Sequence, residues 1–265
     1  MIDKERARTF VQTHGDDVQS LRLAALLDNK RSDVVPPSLA ALQNEDGGFA
    51  LLLQPERPSA LSSTANALAW LRDLQLINSD AGQRALRFIE QGQTPRGIWR
   101  ESAKLQRFNP PPWMDPDSPA ADVYTTAICA NALAVFGGDE LAVDQAVSWL
   151  QTQQARDGLL VGFRAHSSWL ALPAFTEMYG QETRTTRRLV AGLGSILDNS
   201  WPGSMLAWLL QCAVDAGYTR RTELVDRAWE QLVRAQQPDG SFTVDEGDES
   251  IHTTLQALDV ARRIT

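Results

Sequence analysis

The sequence predicts an all-α protein: one α/α toroid, a barrel of six helical hairpins spanning residues 1–265. Two observations lead there. A short Gln-and-Gly motif recurs along the chain, and each copy separates an amphipathic stretch from a more apolar one. The motif reads Gln43-Asn44-Glu45-Asp46-Gly47-Gly48-Phe49, Gln154-Ala155-Arg156-Asp157-Gly158-Leu159 and Gln236-Gln237-Pro238-Asp239-Gly240-Ser241-Phe242. A fourth copy, Gln93-Thr94-Pro95-Arg96-Gly97-Ile98-Trp99, keeps the Gln, the Gly and the aromatic residue. The gap between Gly158 and Gly240 leaves room for one degenerate unit around Leu197-Asp198-Asn199-Ser200-Trp201.

Taken in order, each unit repeats one plan. At the N-terminus, Lys4–Thr13 reads as an outer helix, His14-Gly15 as the turn and Val18–Leu27 as an inner helix. In later units an amphipathic helix precedes the motif; Ala142, Val143, Ala146, Val147 and Leu150 lie on one helical face. The Asp-Gly pair stops that helix, because Gly takes the left-handed conformation without strain. A more apolar helix follows, opening at Ser62-Ser63-Thr64-Ala65, Tyr124-Thr125-Thr126-Ala127, His166-Ser167-Ser168-Trp169 or His252-Thr253-Thr254-Leu255. The degenerate unit opens at Pro202-Gly203-Ser204-Met205. These Ser and Thr side chains are expected to cap first-turn N–H groups. The helices they open are apolar on most faces, as inner helices should be. Six hairpins share 265 residues, about 44 each. One stretch breaks the plan: a loop at about 101–121 containing Asn109-Pro110-Pro111-Pro112-Trp113-Met114-Asp115-Pro116-Asp117, where prolines forbid helix. A long stiff loop in a compact domain is usually functional.

Composition narrows the partners. A net charge of -8 argues against nucleic acid and against an anionic membrane surface. No apolar run approaches the ~18 residues of a membrane span, and MIDKERARTF lacks the order of a secretion signal. Cys129 and Cys212 sit in apolar stretches, as buried thiols of a cytoplasmic protein would.

The Gln-x-x-Asp-Gly-x-aromatic motif, placed before a Ser/Thr-Ala-x-Ala-Leu helix, resembles the repeat of triterpene cyclases and protein prenyltransferases. The resemblance covers nearly the whole chain and implies the α/α toroid. Cyclases of that family that begin by protonating an alkene carry Asp-x-Asp-Asp-Thr-Ala at the head of an inner helix, with the middle Asp as acid. The matching segment here is Asp122-Val123-Tyr124-Thr125-Thr126-Ala127. Tyr124 therefore stands in the acid's place, and a phenol is a weak acid for that step. The prenyltransferases bind zinc through an Asp-x-Cys pair and a later His. His252-Thr253 matches the His element, but no Asp-x-Cys occurs upstream, so neither metal nor cofactor is expected.

Aligning the inner-helix starts stacks Ser62, Tyr124, His166 and His252 at one position. Tyr124, His166 and His252, with Asp122, are the candidate catalytic groups; the competing role is capping or plugging the barrel mouth. Trp113, Asp115, Trp169, Trp208 and Arg164 are the candidate substrate-binding residues, the tryptophans offering π faces to cationic intermediates. The acidic run Asp245, Glu246, Asp248 and Glu249 reads as a solvated turn. The function expected is a terpene-cyclase-like enzyme acting by proton transfer on a hydrophobic, isoprenoid-derived small molecule. Two alternatives stand beside it: a cyclase or isomerase of a non-terpenoid natural-product intermediate, and a non-catalytic barrel that binds a peptide or lipid.

Overall fold

The structure, a computed structural model, describes residues 1–264. Its regular elements are helices: α1 (Lys4–His14), α2 (Asp17–Asp28), α3 (Pro37–Ala40), α4 (Leu61–Asp73), α5 (Asp80–Gln91), α6 (Pro119–Phe136), α7 (Glu140–Thr152), α8 (Arg164–Tyr179), α9 (Arg184–Ile196), α10 (Gly203–Asp215), α11 (Glu223–Ala235) and α12 (Ser250–Arg263). The only β pairings among the described residues are isolated bridges. Odd and even helices alternate in burial, as the sequence pattern predicts. α5 buries one stripe, Gly82, Ala85, Leu86 and Ile89, whereas α6 buries residues on every face from Ala121 to Leu133.

Two elements depart from the expected plan. The odd helix before Gln43 is a single turn, because Pro36 and Pro37 leave only Pro37–Ala40 to wind. The even helix carrying Tyr124 starts earlier than the loop reading placed it. Ser118 accepts the Ala121 N–H as N-cap and Pro119 fills the first turn, so α6 begins at Pro119. The proline-rich segment before it is ordered by 3-10 turns at Ala103–Phe108 and Pro112–Met114. Its Leu105 and Met114 pack with Leu51 and Ala60, and Arg57 lies over the Phe108 ring at 4.7 Å.

The chain packs as two compact units. The first comprises Met1–Asp33, Asp73–Gln75 and the residues from Gly194 onward; within it α12 packs on α1, α2 and α10, and α10 on α11. The second comprises Val34–Arg72 and Leu76–Leu193. There α6 is central, packed on α5, α7 and α8.

The repeated motif works as a clasp. Gln43 Nε2 donates to Gly47 O and Ala81 O, both at 2.9 Å. Gln93 reaches Gly97 O and Ala142 O, and Gln154 reaches Gly158 O and Thr185 O. Gln236 reaches Gly240 O and Asp3 O. Each Gln thus closes its own loop and grips the start of the next odd helix. The motif glycines have φ of +76° to +95° and lie against that helix's backbone. A Cβ on Gly158 would sit 2.1 Å from Arg188 O, and one on Gly240 2.2 Å from Arg6 O. No other residue fits there.

The Ser and Thr side chains opening the even helices do something other than the expected capping. Thr64 Oγ1 accepts the Phe49 N–H at 2.8 Å, Thr126 Oγ1 that of Trp99 at 3.1 Å, and Ser168 Oγ that of Leu160 at 2.9 Å. They tie the ends of these three motifs to the even helices that follow them.

Candidate functional site

In the second unit, the segment leaving the Trp99 motif runs across the first turns of α4 and α6. Trp99 is fully buried and its Nε1 donates to Ile89 O at 2.6 Å, which anchors the strip. Arg100 then turns to α6: its Nε donates to Asp122 Oδ1 at 2.8 Å and its Nη2 to Asp122 Oδ2 at 2.5 Å. Glu101 turns to α4, where its two carboxylate oxygens accept the Leu61 N–H at 2.9 Å and the Ser62 N–H at 2.8 Å. One dipeptide therefore positions two neighbouring helix starts.

The electrostatics of these acids differ. Asp122 is buried, but both its oxygens are taken by a guanidinium in a bidentate pair. Glu101 is only 4% exposed and pairs with no cation among the described residues. Burial pushes its carboxyl up from the ordinary value, while the two backbone N–H groups and the Ser62 hydroxyl hold it partly back. Burial, followed by the nearby Glu101 charge, also pushes the Cys129 thiol well up, so that side chain is an inert neutral thiol.

Tyr124 lies on α6, buried, its ring edge-on to Phe163 with centroids 6.1 Å apart. Phe163 directly precedes α8, so this contact sets Tyr124 against the start of the helix that carries Arg164, His166 and Trp169. The rings of His166 and the fully buried Trp169 lie 4.4 Å apart, tilted at 55° to each other. Arg164 bonds Asp157 of the motif, which also accepts the Leu159 N–H; it serves as a latch on that loop. Asp115 is half-buried and accepts from Asp117 N and Gln106 Nε2 at the end of a 3-10 turn. Trp113 stands 39% exposed while its neighbour Met114 is buried.

The first unit holds the remaining candidates. His252 keeps some surface exposure, yet its Nδ1 is buried. Burial first, and the Arg22 charge second, push its pKa down to about 3, so the imidazole is neutral across the physiological range. Arg22 itself is buried and donates twice to Asp73 Oδ2, at 3.0 Å and 2.7 Å. On α10, Trp208 is half-buried, and Gln211 accepts from Gln256 Nε2 of α12 at 3.1 Å. The run Asp245–Glu249 is an exposed turn before α12.

Sequence reasoning missed Glu101, and had Arg100 only as one of several cations, with Arg96, Lys104 and Arg164, able to pair with the acids nearby or hold an anionic substrate group. Their signal was available: the residues after the other motif aromatics or Leu160 are Ala50-Leu51, Val161-Gly162 and Thr243-Val244, and only the Trp99 copy continues with two charges. Among the described residues no three His, Cys, Asp or Glu side chains are grouped to hold a metal ion. Nor, among them, is any helix long and apolar enough to cross a membrane.

No protein-family model matches the chain, and no curated protein sequence does. Its fold is that of type II terpene cyclases. The apo cyclase MstE from Scytonema aligns over 98% of this chain and 86% of its own, at a TM-score of 0.60 and 14% identity. A variant of the same enzyme in complex with its substrate, geranylgeranyl dihydroxybenzoate, gives 0.62 over the same shares at 14% identity. A protein from Actinoplanes aligns over 98% of this chain and 88% of its own, at 0.58 and 18% identity. These likenesses bear out the all-α toroid class expected from the repeats.

Proposed function

We propose that the chain is a terpene-cyclase-like enzyme that cyclises or rearranges a hydrophobic, isoprenoid-derived small molecule by proton transfer. The observation that carries this reading is the likeness over 98% of the chain to MstE, whose described substrate is a geranylgeranyl dihydroxybenzoate. The buried layer of Tyr124, Asp122 and Trp169 on α6 and α8 supports it, since buried aromatic faces favour cationic intermediates. Asp122 orients and does not donate, because Arg100 occupies both its oxygens. The two free buried cysteines support the cytoplasm as its compartment.

The test is incubation with geranylgeranyl dihydroxybenzoate and with linear isoprenoids in deuterium oxide. An isomeric product with fewer alkene protons and newly incorporated deuterium is expected. Substrates recovered unchanged, with none retained by the protein, refute the reading.

A further inference from the structure

The acid that the α6 segment lacks has a counterpart one helix away. We propose that Glu101, acting through the Ser62 hydroxyl, stores and delivers the proton that starts the reaction. This rests on the protonation-initiated reading above.

Three observations converge. Glu101 is a buried carboxyl with no cation beside it, unlike Asp122, which Arg100 neutralises. Ser62 occupies the same repeat position as Tyr124, in the first turn of α4. Its Oγ is buried, makes no hydrogen bond of ordinary geometry, and lies close enough to act on the Glu101 carboxyl. The hydroxyl is thus placed to receive a proton from the acid and to pass its own onward.

The two states of the acid are stabilised by different parts of the same pocket. Before reaction, burial favours the neutral carboxyl. After transfer, the Leu61 and Ser62 N–H groups, already aimed at both oxygens, hold the carboxylate. The Cys129 thiol on α6 also faces this charge and, being neutral, does not compete for the proton.

In the transfer, the Ser62 O–H bond breaks as its proton bonds to an alkene carbon, using the π electron pair. The Glu101 O–H bond breaks at the same time and restores the Ser62 hydroxyl. A carbocation and the Glu101 carboxylate remain. When the final cation loses a proton to a base, the product is an isomer of the substrate, and solvent reprotonates Glu101.

The experiment begins without substrate. Carbon-detected NMR titration of 13C-glutamate-labelled protein, with Glu101→Gln identifying the signal, is expected to place the Glu101 midpoint above those of exposed glutamates. A midpoint at or below theirs overturns the proposal, whatever the fate of the cyclase reading. Turnover of the prenylated substrate is then expected to fall at least a hundredfold in both Glu101→Gln and Ser62→Ala, with Glu101→Asp recovering part. The acidic-form limb of the wild-type pH–rate profile should follow the NMR midpoint and vanish in Glu101→Gln. Near-wild-type turnover in a folded Glu101→Gln or Ser62→Ala protein overturns the proposal while leaving the cyclase reading intact.

Discussion

Replacing His252 with Gln should flatten the acid side of the stability curve. The folded imidazole titrates at about 3, against an ordinary 6.5. Below pH 6.5 the unfolded chain binds a proton at this position and the folded chain does not. Stability from this group is therefore full above 6.5 and is lost as pH falls toward 3. The slope is about 1.4 kcal/mol per pH unit, so about 2 kcal/mol is gone by pH 5. Glutamine cannot titrate, and every other ionisable group stays the same in both proteins. Urea unfolding of the wild type and His252→Gln at pH 7.5, 6 and 5 isolates this contribution as the change in their difference. The wild type should lose about 2 kcal/mol more than the variant between pH 7.5 and 5. Parallel curves would refute the argument that the imidazole is held neutral by burial and by Arg22.

Three further outcomes follow from the geometry. Asp73→Ala should cost about 3–5 kcal/mol by leaving the Arg22 guanidinium buried without its carboxylate, whereas the pair replacement Arg22→Met with Asp73→Leu should recover most of that in thermal unfolding. Gln154→Ala removes two hydrogen bonds to carbonyls and should cost about 1–3 kcal/mol by urea unfolding; Gln154→Glu, which sets a carboxylate against both carbonyl oxygens, should cost more. Gly158→Ala drives a Cβ into Arg188 O and should cost about 3 kcal/mol or more, while Gly137→Ala, with open space around it and only a positive φ to strain, should cost about 1 kcal/mol. Equal thermal shifts for the two alanine variants would mean that the clasp is not under steric control.

The architecture was legible because it is repeated. Gln and Gly recur at fixed offsets and do the same job in each copy, with an aromatic after them in three, so four imperfect readings reinforce one another. The short α3 was legible too, had Pro36-Pro37 been weighed against the repeat; the repeat pattern masked it. The candidate site was harder to read because nothing in it recurs. Arg100 and Glu101 belong to one copy alone, and their importance comes from reaching first turns 22 and 39 residues away in sequence. Tyr124 could be placed on an even helix by alignment, but its partner Phe163 lies in a different repeat and carries no motif. Likewise the neutral state of His252 depends on Arg22, at the other end of the chain, which no local pattern connects to it.

The clasp has a consequence for how such a chain can change. Each Gln holds its neighbour through main-chain carbonyls, and each motif Gly rests on a carbonyl as well. Any residue offers a carbonyl, so the grip survives substitution of nearly every side chain in the helix it holds. Where a side chain does take part, as Arg84 and Arg188 do by donating back to the carbonyls of Asn44 and Ala155, the copy beginning at Gln93 has Gln145 at the corresponding place. A joint that reads backbone alone lets the surfaces between joints drift freely. It is a physical reason for this fold to place few demands on the side chains between its joints.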